Sequence, residues 1–185
     1  MNYIGNATTY LTETVLALVL YVVILRFWMQ WVRANFRNPF GQFVISATNP
    51  AVIPLRKVLP SIGSIDTATV VLALIISIGK TYVVTSLLSV SISWLSLFSY
   101  SFGELIRCSI YVFGAAIFIQ ILASWINSHG YNPILDIANS IAEPLMTPAR
   151  KLLPPIGGLD LSPMLIFIFF KLSLILIVAP IQAIR

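Results

Sequence analysis

Apolar residues run along this chain in four long stretches, separated by shorter polar segments. The stretches fall at about 12–33, 66–88, 103–127 and 160–183. Each is long enough, at 1.5 Å per residue, to cross about 30 Å of hydrocarbon as a helix. Ser162-Pro163 offers an alternative start for the fourth. The segment from Pro39 to Pro60 is different, with prolines at 39, 50, 54 and 60. Interior prolines break helical hydrogen bonds, and open backbone in lipid is costly, so this segment is not expected to cross. Short helices lying in the membrane interface are expected instead, at Phe40 to Thr48 and at Ile134 to Glu143.

The pattern occurs twice. Asn38-Pro39 recurs as Asn132-Pro133, 94 residues later, and Pro50 and Pro54 recur as Pro144 and Pro148. Pro-Leu-Arg-Lys-Val-Leu-Pro at 54–60 becomes Pro-Ala-Arg-Lys-Leu-Leu-Pro at 148–154, and Gly63 and Asp66 become Gly157 and Asp160. Across 38–66, 12 of 29 positions are identical without a gap, far above chance. The chain is a duplication, with a first repeat at 1–90 and a second at 91–185. Asn38 and Asn132 are expected N-caps, with Pro39 and Pro133 at the first helical position. Gly63 and Gly157 permit turns, and Asp66 and Asp160 are expected to cap the second span of each repeat.

The fold class is therefore an all-α membrane protein. Four transmembrane helices form two parallel αα repeats, each with short interfacial helices in its basic proline-rich loop. An even number of spans per repeat places both basic segments on one side. Arg33, Arg37, Arg56, Lys57, Arg150 and Lys151 lie there, against Arg185 alone on the other side. The positive-inside rule makes the basic loops cytoplasmic and both termini external. Trp28, Trp31, Trp94 and Trp125 suit the two interfacial belts.

Composition agrees: 58% of residues are hydrophobic, 9% are charged, and mean hydropathy is +0.95. Soluble domains carry about 25% charged residues. A soluble enzyme, a disordered chain and a nucleic-acid reader are excluded. The net charge of +5 reflects topology rather than a polyanion partner. Met1 to Thr12 lacks a basic signal-peptide segment, so the first stretch is expected to be retained. Cys108 and His129 are single residues of their kinds. Neither a disulfide, a metal site nor a cofactor is expected, and Cys108 reads as a packing residue.

These residues resemble the YggT (YlmG-like) family of bacterial and plastid membrane proteins. The matching elements are Asn-Pro-Phe-x-x-Phe at 38–43, Asn49-Pro50, the 54–60 segment and Gly63-x-x-Asp66, with a second copy through Ser162-Pro163. Glu143-Pro144 stands where the first copy has Asn49-Pro50, and Ser64 replaces a glycine, so the halves differ. The resemblance implies the two-copy proteobacterial form, in a bacterial inner membrane. It associates the family with osmotic or salt tolerance, potassium uptake, division-linked gene clusters, plastid nucleoid distribution and assembly of haem-bearing cytochrome. It defines no catalytic residue.

The remaining polar residues set the functional readings. Arg56-Lys57 and Arg150-Lys151 make two basic ledges suited to anionic headgroups or a partner protein. Lys171, about 16 Å along the helix from Asp160, lies near mid-depth. It is either a gate or counter-charge in an ion path, or a snorkelling side chain bonded to Gln120 or to carbonyls. Arg26 and Gln120 are repeat equivalents, read as a polar layer between the halves or, for Arg26, as snorkelling to phosphates. Glu13 and Arg107 are also equivalents, so Arg107 pairs with Glu13 or with Glu104 on its own helix. Lys80 is expected to snorkel. Gly114-Ala115-Ala116 and Ala17 are expected at helix contacts, and Phe167, Phe169 and Phe170 on an exposed strip.

Two functions follow. One is a non-enzymatic scaffold or assembly factor whose partners are anionic phospholipids, a larger membrane complex or a second copy. The other is a potassium or osmolyte transporter. No catalytic constellation is present.

Overall fold

The computed structural model describes residues 3–63, 65–126, 131–153 and 160–184. Among the described residues its regular structure is helical, apart from a single bridge between Ile62 and Ile65. Four helices are long and apolar enough to cross a membrane: α1 (Tyr3–Trp31), α3 (Thr67–Leu87), α4 (Trp94–Ile126) and a fourth span (Ser162–Gln182). The fourth span comprises α6 (Ser162–Ser173), a π turn (Leu174–Val178) and α7 (Ala179–Gln182). It starts at Ser162, the alternative start suggested by Ser162-Pro163.

Two spans begin earlier than hydropathy suggests. In α1, Thr8, Thr9 and Thr14 turn their hydroxyls back onto carbonyls four residues earlier, so polar residues continue the helix. In α4, Ser93 Oγ accepts from the Ser96 amide at 3.1 Å and caps the start. Two spans end with a residue in the left-handed region that is not glycine. Arg33 has φ +55° and Ser89 has φ +54°. Each is followed by an amide that reaches back five residues, Ala34 to Met29 and Val90 to Thr85, as in a Schellman motif.

The proline-rich segments depart from expectation. Instead of short helices ending before the prolines, α2 runs unbroken over Pro39–Arg56 and α5 over Pro133–Leu152. Pro50 and Pro54 lie one turn apart on the exposed side of α2, opposite the buried face of Gly41, Val44, Thr48 and Val52. Pro144 and Pro148 do the same on α5, opposite Ile137, Ile141 and Met146. Each pair confines the lost hydrogen bonds to one face, and the other face holds the helix by packing.

Two clusters form the core. One gathers Leu20, Val23 and Ile24 of α1 with Val52, Ala68, Leu72, Ala73 and Cys108. The other centres on α5, where Ile137, Ile141 and Met146 meet Met29, Val44, Ala116, Ile117, Ile166 and Phe170. Cys108 is thus a packing residue. Gly114 and Ala116 do serve a helix contact, since Phe167 and Phe170 lie against Gly114. Phe169 is exposed and Phe167 partly so, but Phe170 is buried, which corrects the reading of a wholly exposed aromatic strip.

The repeats are equivalent in plan and unequal in packing. α3 packs against α1 and α2 of its own repeat and against α4 of the other. Its counterpart α6 packs against α4 and α5 and does not reach α1. α5 lies against both α1 and α4, beside a small cavity lined by Val22, Leu25, Val112, Ala115 and Ile137. That placement keeps the fourth span on the outside of the bundle.

Candidate functional site

Each amphipathic helix is fastened by the same three devices. The first is the cap. Asn38 Oδ1 accepts from the Gly41 amide at 2.6 Å, and Asn132 Oδ1 accepts from Ile134 at 3.0 Å and Leu135 at 3.3 Å. Pro39 and Pro133 follow at the first helical position, as expected. Gly41 has no room for a side chain, because a Cβ would meet the Phe36 backbone at 2.8 Å. Asn38 also joins the repeats: its Nδ2 donates to the Pro133 carbonyl at 3.2 Å and to Asp136 at 3.4 Å.

The second device is a polar residue reaching down from the first span. Arg26 donates to Thr48 Oγ1 at 2.5 Å, Asn49 Oδ1 at 2.9 Å and the Ile45 carbonyl at 3.5 Å. Its equivalent Gln120 donates to Asn139 Oδ1 at 2.8 Å. Ile45 and Asn139 are themselves repeat equivalents. Arg26 therefore neither snorkels nor joins the two halves. It is buried and ties α1 to the α2 of its own repeat.

The third device is an arginine–aspartate clamp. Arg56 reaches Asp66 at 2.6 Å, and Arg150 reaches Asp160 at 3.0 Å. Arg150 also contacts Glu143 at 3.4 Å. Each clamp draws the end of the amphipathic helix onto the start of the next span. Asp66 makes no capping bond to α3, which corrects its expected role; it accepts from Arg56 and from the Thr69 hydroxyl at 2.5 Å. Asp160 accepts from the Ser162 amide at 2.9 Å, so it does steady the start of α6. Burial pushes both carboxyls up, but the hydrogen bonds from the arginine, and from Thr69 or Ser162, outweigh it. Both end below the ordinary value of 3.8. The Asp160 hydrogen bond in turn raises Arg150. Gly63 takes φ +61° in the turn before α3. Gly157 lies outside the described residues.

The clamps divide the basic ledges in two. Arg56 and Arg150 are engaged with carboxylates, whereas Lys57 and Lys151 are exposed and make no side-chain hydrogen bond or ion pair among the described residues. Arg33 and Arg37 are free and exposed in the same way. These four unpaired cations mark the side on which α2 and α5 lie.

The charges between the spans are arranged differently from expectation. Lys80 does not snorkel: it is 5% exposed and donates to Glu104 at 2.5 Å. Arg107 also pairs with Glu104, not with Glu13. Ser77, Thr81 and Ser101 add hydroxyl bonds beside this group. Lys171 is exposed and bonds neither Gln120 nor any other described group. No group of three or more His, Cys, Asp or Glu close enough to hold a metal occurs among the described residues.

The CCB3/YggT family model matches this chain twice, at residues 5–98 and 99–181. The chain belongs to the CCB3/YggT family. Its relatives include YggT of Escherichia coli K12, 39% identical over 166 residues, covering 87% of this chain and 84% of the relative. An uncharacterized protein of Pseudomonas aeruginosa is 37% identical over 177 residues, covering 95% and 90%. One of Vibrio alginolyticus, from the region 3′ of proC, is 40% identical over 167 residues, covering 88% and 89%. No solved structure matches the chain. The double match agrees with the duplication read from the sequence. In this chain the asparagines of the repeated Asn-Pro pairs cap helices and the arginines of the repeated Pro-x-Arg-Lys segments clamp them.

Sequence reasoning missed two sets of partners. Thr48 had no signal, because its repeat equivalent is Ala142, and Asn49 stood out only within Asn49-Pro50, not as a partner of Arg26. The Lys80–Glu104 pair had none either, since position 174 is leucine.

Proposed function

We propose that this YggT-family protein is a non-enzymatic docking protein of the bacterial inner membrane, a scaffold or assembly factor. Its basic face lies on the cytoplasmic side and gathers anionic headgroups and the proteins that sit on them. The carrying observation is the division of cations on that face. Arg56 and Arg150 are spent on holding the fold, while Arg33, Arg37, Lys57 and Lys151 are left exposed and unpaired. Each such charge near an anionic surface contributes about 1 kcal/mol. Of the buried charges, Asp66, Lys80 and Glu104 are in ion pairs and Arg26 is hydrogen-bonded to Thr48 and Asn49, so they serve the fold. Any link to osmotic tolerance runs through the assembly the protein holds.

The test is native mass spectrometry of protein released from vesicles of phosphatidylcholine and phosphatidylglycerol. The wild type is expected to retain phosphatidylglycerol preferentially. A variant carrying Arg33→Gln, Arg37→Gln, Lys57→Gln and Lys151→Gln is expected to lose that preference, whereas Lys171→Met is expected to keep it. Equal lipid retention in wild type and quadruple variant would sink the reading. Potassium flux into proteoliposomes is expected to equal that of empty vesicles; protein-dependent flux would replace this reading by transport.

A further inference from the structure

α3 and the fourth span are equivalent in the repeat, but their surroundings differ. α3 packs against α1 and α2 of its own repeat and, on another flank, against α4. On the α4 flank Ser77 donates to the Ser101 carbonyl at 2.9 Å, and one turn on Lys80 gives its ammonium to Glu104. The fourth span packs on α4 and α5, the equivalents of α1 and α2, and lacks the third neighbour. The flank that α3 turns to a charged partner is uncovered there. The residue equivalent to Ser77 on that flank is Lys171.

Lys171 lies nine residues beyond Ser162, about 14 Å along the axis, close to the middle of about 30 Å of hydrocarbon. An unpaired ammonium at that depth is expensive and demands a partner. It stands on the wall of a groove between α4 and the fourth span. Towards the basic side the groove opens to about 1020 Å³, lined by Gln120, Trp125, Asn139, Arg150 and Met164. Towards the other side it continues for about 420 Å³ past Tyr111, Gly114, Phe118 and Leu174. Phe167 and Lys171 line both parts. From Trp125 to Tyr111 it follows α4 for about 21 Å.

We propose that this groove docks a transmembrane helix of another protein, one that carries an aspartate or glutamate at the depth of Lys171. Apolar walls and a glycine at the contact suit a helix, and the carboxylate would do for Lys171 what Glu104 does for Lys80. A second copy of this chain does not fit. Of its six acids, Asp66, Glu104, Glu143 and Asp160 are in ion pairs, and Asp136 accepts from Asn35 and Asn38. Glu13 is unpaired among the described residues, but it is 18 residues from the basic end of α1 at Trp31, about 27 Å along the axis, far beyond Lys171. A lipid phosphate stays at the surface, and the lysine stem recovers only part of the distance. The proposal deepens the docking reading on a separate surface, and its variants leave the four basic-face cations intact.

The probe is a synthetic leucine–alanine transmembrane peptide with one glutamate at the matching depth, compared with glutamine and leucine versions. Energy transfer is measured in phosphatidylcholine vesicles between the peptide and a dye at the protein's C-terminus. The glutamate peptide is expected to associate about tenfold more tightly than the other two. Lys171→Met is expected to abolish that preference, Lys171→Arg to keep it, and Gly114→Leu to weaken all three peptides by filling the groove. Circular dichroism and gel filtration establish that each variant folds. Equal association of the three peptides, a preference retained by Lys171→Met, or protein self-association in place of peptide binding would overturn the proposal. Dependence on added phosphatidylglycerol alone would overturn it in favour of a lipid occupant.

Discussion

Lys80 on α3 donates its ammonium to Glu104 on α4 across 2.5 Å, with both side chains almost wholly withdrawn from the surface. This bond joins the first repeat to the second inside the spanning region. Glu104 serves a second cation, Arg107, whose side chain is 29% exposed. Removing one member of a buried pair costs about 3–5 kcal/mol. Glu104→Gln strands both cations and is expected to fall in that range. Lys80→Met leaves the carboxylate its arginine and is expected to cost less. Unfolding midpoints in detergent check this; equal losses would mean that the Arg107 contact contributes nothing.

The two arginine–aspartate clamps are predicted to be unequal. Asp66 is 6% exposed at its side chain and Asp160 is 33% exposed. Asp66 also accepts from Thr69, and a suitably oriented Gln30 amide bridges both members of its pair. Asp66→Asn is expected to cost about 2 kcal/mol, and Asp160→Asn under about 1 kcal/mol. Limited proteolysis after Arg56 and Arg150 reports the release of each helix end separately.

Both carboxyls sit below the ordinary value of 3.8 in the folded protein. The unfolded chain therefore takes up protons first as pH falls. Their stabilisation is complete above the ordinary carboxylate range and is lost progressively below 3.8, towards the lower folded values. Stability measured from pH 6 downward is expected to fall in that window for the wild type. The fall is expected to be shallower for Asp66→Asn, and an identical profile would contradict the assignment.

Asn38 and Asn132 are equal as motif residues and unequal in the fold. Each caps its helix, worth about 1 kcal/mol. Asn38 alone also bridges to Pro133 and Asp136, and it is buried. Asn38→Ala is expected to destabilise more than Asn132→Ala, by about 1 kcal/mol. Thermal denaturation of the two single variants decides it.

Ser89 holds φ +54° where the chain leaves α3. A non-glycine residue there is strained by roughly 1–2 kcal/mol, part of which glycine gives back in unfolded-state freedom. Ser89→Gly is expected to raise stability by about 0.5–1 kcal/mol. A lower unfolding midpoint would show that the serine side chain holds the turn.

The spans and the duplication were legible because hydropathy and spacing are properties of the chain in one dimension. The caps at Asn38 and Asn132 were legible for a related reason, since a cap and its helix are neighbours in sequence. Pro50 and Pro54 misled, because what a proline does to a helix depends on which face it occupies and on what packs against the other. Asp66 misled likewise: its partner is Arg56, ten residues back across a turn, rather than the helix it precedes. Arg26 and Lys80 both looked like snorkelling cations. Their partners lie 22 and 24 residues away on other helices, and nothing local marks them.

By itself, the sequence determined that four apolar helices lie in two copies of one plan, with positive charge gathered beside the prolines. Those features need only the length of each stretch, the residue types and the interval of 94. The tertiary structure decided which charges are free. It closed Arg56 and Arg150 onto aspartates, buried Lys80 against Glu104, and left Lys57, Lys151 and Lys171 without partners among the described residues. The repeat also could not say that α3 would gain a neighbour in the other repeat and the fourth span would not. That difference arises because α5 packs against both α1 and α4, so two similar halves have unequal surfaces and one lysine stands open to the membrane.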